Sequence, residues 1–110
     1  MPTAYRVLGQ VAPSATTSTT AYTVLSGVQT IISSIVVANR GGDATTFRVA
    51  VRPNGSTLAD EHYIAYDAAI ARNDSKVLSF GITLNEDDLI AVYAGNANLS
   101  FNIYGTEITA

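Results

Sequence analysis

Apolar residues recur at every second position along most of this chain, and that period constrains its fold more than any other feature. Successive side chains of a strand point to opposite faces, so a two-residue period builds elements with one apolar and one polar side, whereas a helix needs a period near 3.6. Phe47, Val49 and Val51 alternate with Arg48, Ala50 and Arg52; Leu99, Phe101 and Ile103 alternate with Ser100, Asn102 and Tyr104. The same reading places strands over residues 5–11, 21–25, 28–39, 62–69, 76–82 and 89–94. Where the alternation stops, the segments SG, NRGGD, RPNGS, RNDS, LNEDD and AGNAN supply the Gly, Asn, Asp and Pro that turns require. DAAIARNDS, residues 67–75, has the composition of a short helix, but it is brief and runs into Asn73 and Asp74, so it reads as a strand end and loop.

About eight antiparallel strands in 110 residues pack best as two sheets face to face. The expected fold is therefore all-β, a two-sheet sandwich of jelly-roll-like form, in a single domain over residues 1–110. APSATTSTTA, residues 12–21, has no apolar period and separates the first strand from the rest. Residues 1–20 are thus expected to form an N-terminal strand and arm, the connector being either a surface loop or the hinge of an arm that pairs with a neighbouring subunit.

Composition narrows the partners. Charged residues make up 14% of the chain, well below the usual quarter, and the net charge is −3. Nothing draws such a surface to a phosphate backbone, so nucleic acid is not an expected partner. The chain has no cysteine, which leaves it no disulfide, thiolate ligand or cysteine nucleophile. No stretch reads as a signal peptide or a membrane helix, and a soluble protein with no membrane partner is expected.

Chemistry-bearing patterns are sparse. His62 adjoins Glu61 and Asp60, but neighbours on a strand face opposite ways, so it reads as a surface histidine. Asn85-Glu86-Asp87-Asp88 is rich in oxygen ligands and lacks the spacing and glycine of a calcium loop, so it reads as a solvated turn. With one histidine, no nucleophile elbow and no phosphate loop, no enzyme activity, cofactor or metal is expected.

Three of the five arginines lie in VANRGGDATTFRVAVRPNG. The stretch reads as a hairpin turning at RGGD, with Asp43 as a local counter-charge for Arg40, and with Arg48 and Arg52 on one outer face, available to a neighbour's carboxylate. Six tyrosines suit strand surfaces and interfaces alike; Tyr63 and Tyr66 are expected on opposite sides of one strand, one in the core and one exposed. Arg40, Arg48, Arg52, Tyr5 and Tyr63 are the residues expected at a protein interface.

LGQVAPSATTSTTAYTV, ANRGGDATTFRVAVRP, HYIAYDAAIARND and GITLNEDDLIAVYAGNANLSFNIYGTEI together cover nearly the whole chain, and it resembles a group of small tailed-bacteriophage virion proteins. The resemblance implies an all-β virion component. The favoured expectation is a capsid decoration, or cement, protein that binds the assembled head and bridges major capsid subunits. Its partners would be the major capsid protein or another virion protein, and its own copies in a homo-oligomer, a trimer first. Its place would be the virion, on the capsid surface before the tail. The alternative is a tail- or fibre-associated module that recognises a host-surface glycan or protein.

Overall fold

The computed structural model describes residues 3–79 and 81–109. They form β1 (Thr3–Val11), β2 (Thr19–Thr23), β3 (Val28–Asn39), β4 (Thr45–Arg52), β5 (Tyr63–Ile70), β6 (Ser75–Leu78), β7 (Ile82–Leu84), β8 (Leu89–Ala94) and β9 (Leu99–Thr109). The first sheet runs β1-β9-β3-β6, with β7 also paired to β3; the second runs β2-β8-β4-β5. These strands pair antiparallel to one another. The chain changes sheet at each connection except β4–β5 and β6–β7. With β6 and β7 taken as one broken edge strand, this is the eight-strand, two-Greek-key connectivity of a jelly roll.

The expected sandwich is present, with three local differences. Residues 76–82 were expected as one strand; they divide between β6 and β7, where Gly81 takes φ 64°, while Phe80 lies outside the described residues. Residue 62 belongs to a 3-10 turn, Asp60–His62, ahead of β5. The RGGD turn does not close a hairpin: β3 pairs with β9, β6 and β7, and β4 pairs with β8 and β5. The turn carries the chain from one sheet to the other, and an alternating strand has the same pattern whichever sheet its successor joins.

The two inner faces meet in one core. Phe47 of the second sheet and Phe101 of the first sit edge to face, 6.2 Å apart at 71°. Ile32, Ile35, Val37 and Ile103 surround them from one side, Val49, Ile90 and Val92 from the other, all fully buried. Ile32 and Ile35 both reach inward because β3 shifts register between Ile32 and Ser34, and the displaced Ser33 donates its hydroxyl to the Tyr104 carbonyl at 3.1 Å. β1 shifts between Val7 and Gly9. Both irregularities abut residues 103–105 of β9, so the first sheet bends along one line. At that line Gly105 leaves no room for a Cβ, which would run into the Ile31 carbonyl.

The 12–21 connector lies on its own sandwich: Ala15 bridges Ala94, and the Thr16 N–H donates to the Ala94 carbonyl at 2.8 Å. β1 is paired to β9 from Thr3 to Val11, with its other edge open. The expected arm also includes Met1 and Pro2, which lie outside the described residues.

Candidate interaction surfaces

On the second sheet, β4 and β8 place Arg48 beside Tyr93 on the outer side. The Arg48 guanidinium carbon lies 4.3 Å from the Tyr93 ring centre and 4.2 Å from that of Tyr66, so the cation is clamped between two rings. Its Nε donates to Asp67 Oδ1 at 2.7 Å, and a second, longer bond of 3.4 Å reaches Oδ2. The bond to Asp67 raises the Arg48 pKa above its already high value and keeps the charge permanent. Asp67 reaches this position from a left-handed backbone, φ 49°, at an irregularity in β5. The carboxylate expected from a neighbour for Arg48 is therefore supplied within the chain.

Tyr63 and Tyr66, expected on opposite sides, come together: their rings lie 4.9 Å apart at 82°. A register shift between Tyr63 and Ala65, where two steps of β5 face one step of β4, adds one residue between them and undoes the strict alternation. Neither ring enters the core, and with Asp60 they line a surface hollow of about 450 Å³. Arg52 donates to the Ser56 carbonyl at 2.6 Å. Arg40 turns to Ser100 Oγ at 2.7 Å and the Ala97 carbonyl at 3.2 Å instead of Asp43. The three arginines do not converge on one site.

His62, Glu86 and Asp88 tie loops. His62 Nδ1 accepts from the Ala59 N–H at 3.0 Å. Asp88 accepts from the N–H groups of Asn54 and Asn85, each at 2.8 Å, and Glu86 accepts from the Gly27 N–H at 3.0 Å. Between the sheets, Tyr22 donates its hydroxyl to Glu107 at 2.7 Å and lies 2.7 Å from the Thr30 hydroxyl. Arg6 closes this cluster with a 2.6 Å ion pair to Glu107, whose carboxylate is buried. Burial, opposed by the Thr30 bond and reinforced by Glu107, pushes the Tyr22 phenol up to about 12.

The outer face of the first sheet was not singled out by sequence. Its register brings together Thr3 with Ile108 and Gln29; Tyr5 with Thr106, Ile31 and Thr83; Val7 with Tyr104 and Ser34; and Gln10 with Asn102, Val36 and Val77. No Asp, Glu, Lys or Arg stands in these rows. Arg6, Lys76 and Glu107, the charged residues of these strands, all occupy the opposite register, across from Gly105, Val37 and Ala4. Arg40 reaches only the margin, at Ser100. Four side chains on the face are large, apolar and open: Tyr5 (82% exposed), Val77 (63%), Val7 (47%) and Ile31 (44%). Reading each strand for the charge it lacks on its polar side, as β9 does from Ser100 to Ile108, is the signal that marks this face.

No protein-family model and no curated protein matches the chain. Among solved structures it is similar to a chain from the structure of infectious bursal disease virus, Gx strain, with a TM-score of 0.50 and 10% sequence identity. The match covers 99% of this chain and 32% of that one, so the sandwich spans about a third of the viral chain's length. At that identity the likeness is one of fold.

Proposed function

We propose that this chain is a structural protein of a virus particle, a capsid decoration protein of a tailed bacteriophage that binds the assembled head and stabilises contacts between major capsid subunits. The observation that carries the reading is the jelly roll itself, whose first strand begins at Thr3 and whose last ends at Thr109, and which shares its fold with part of a virus chain. The side-chain inventory fits: Glu86, Asp88 and His62 are spent on loop bonds, and the open large side chains, Tyr5 and Tyr66 among them, suit protein contact. The second sheet is the side assigned to the lattice, through Arg52 and the Arg48–Tyr63–Tyr66 cluster. A protein that binds the lattice and not its dispersed subunits stabilises the lattice by mass action, and linked copies multiply weak contacts.

Particles lacking the protein are expected to lose heat resistance and to regain it when purified protein is added; no head binding and no recovery would refute the reading. Arg52→Glu should weaken attachment with the fold intact. It is a cleaner probe than Arg48→Glu, which sets a second carboxylate beside Asp67.

The hollow at Asp60, Tyr63 and Tyr66 favours a second reading, a tail- or fibre-associated module that takes a host-surface glycan: tyrosine rings stack on sugar faces and a carboxylate accepts their hydroxyls. Glycan-array binding lost in Tyr66→Ala, with unchanged particle stability, would favour it over decoration.

A further inference from the structure

We propose that the uncharged outer face of the first sheet, β1-β9-β3-β6, is the surface on which copies of this chain meet one another. The inference rests on reading the chain as a protein-contact module and names the partner of one face. Three observations support it.

The first is electrostatic. Each copy carries a net charge of −3, so any contact that brings acids together is opposed. In the paired rows of this face no acid or base is present, because Arg6, Lys76 and Glu107 stand at the opposite register. Such a face meets its own copy without like-charge conflict in any rotation, whereas the second sheet brings Arg48, Arg52 and Asp67 to its outer side.

The second is composition and size. Open Tyr5, Val7, Ile31 and Val77, with half-buried Tyr104, Val36 and Ile108, give the aromatic and apolar content and the lack of charge found at interface centres. The molecule measures 45 × 27 × 20 Å, and its broad side has room for the roughly 800 Å² per partner that a stable interface takes.

The third is the strand edge at its margin. β1 is nine residues long, whereas β6 has four residues including Lys76, β7 has three, and β5 is broken by two register shifts. The one charge on β1, Arg6, is held by Glu107. Edges that proteins need to protect are shortened, charged or bulged; β2 has five residues with a shift of its own, and β1, bulged only between Val7 and Gly9, runs unbroken over Thr3–Val7. Tyr5 and Val7 on this strand therefore continue the uncharged face to an open boundary.

Sedimentation of the purified chain at micromolar concentration tests the proposal. The expected result is an oligomer that Ile31→Glu combined with Val77→Glu converts to folded monomer, raising the dissociation constant by about 100-fold or more, since each glutamate would lie desolvated against a neutral surface. Tyr66→Glu, on the other sheet, should leave the oligomer intact. Because the chain has no cysteine, Val77→Cys and Tyr66→Cys also report without background: a bis-maleimide should link copies through the first and not the second. That comparison holds even if the double variant fails to fold. A monomeric parent chain, or an oligomer untouched by the double variant and linked through residue 66, would overturn the inference. A monomer that still binds heads would leave the decoration reading standing, and an oligomer that ignores heads would do the reverse.

Discussion

Tyr22 carries a phenol that the fold takes out of water. Its phenol is held between Thr30 and Glu107 inside the sandwich, and Arg6 supplies the charge that allows Glu107 to be there. Burial comes first among the causes that push it up to about 12, against about 10 in an unfolded chain. A raised pKa means the folded state holds its proton longer than the unfolded state. The stabilisation is complete below pH 10 and is lost as pH rises from about 10 to about 12. Urea midpoints measured at pH 9 and 11.5 should show a loss of about 2 kcal/mol in the parent chain. Tyr22→Phe should remove that loss, while costing about 1 kcal/mol at neutral pH through the missing hydrogen bonds. None of this cluster is legible in sequence, since Tyr22 and Glu107 stand 85 positions apart and meet only because the jelly roll lays β2 across β9. Arg48 presents the same difficulty over a shorter range: its outward direction follows from alternation, but its engagement by Asp67 depends on an irregularity in β5.

At the level of elements, alternation was sufficient wherever a strand is regular and insufficient wherever it bulges. β4 and β9 lie where their patterns place them, with Phe47, Val49, Phe101 and Ile103 inward. Tyr63 and Tyr66 share a side because β5 adds one residue between them, and a period-two argument cannot count a residue that leaves the ladder. The RGGD turn reads as a hairpin in sequence and is none in the fold, because its residues permit a reversal and do not specify which strand lies alongside. The bend of the first sheet rests on the bulges in β1 and β3 and on Gly105 between them. Gly105→Ala is expected to lower stability by about 1–3 kcal/mol, because the added methyl meets backbone that cannot rotate away. Denaturant unfolding measures it directly; an unchanged midpoint would mean that the sheet flattens without cost.

For the whole molecule, the fold class was within reach of the sequence and the unequal distribution of charge between its two sides was not. Eight strands bounded by turn residues imply a sandwich, but which polar faces carry charge emerges only when β1, β9, β3 and β6 are laid side by side. Arg6, Lys76 and Glu107 all stand at the register opposite that face, leaving one side electrically blank and the other bearing Arg48, Arg52 and Asp67. The two sides therefore answer differently to ionic strength. Near 1 M salt the screening length shrinks to about 3 Å, so arginine-mediated attachment to a particle should loosen. Apolar contact between copies should hold or tighten. A salt wash monitored by light scattering is expected to release this protein from particles still joined to its own kind, and release as single chains would reverse that order. If both proposals hold, a neutral face set behind a charged one would make the molecule a two-sided adhesive, with salt able to undo one side alone.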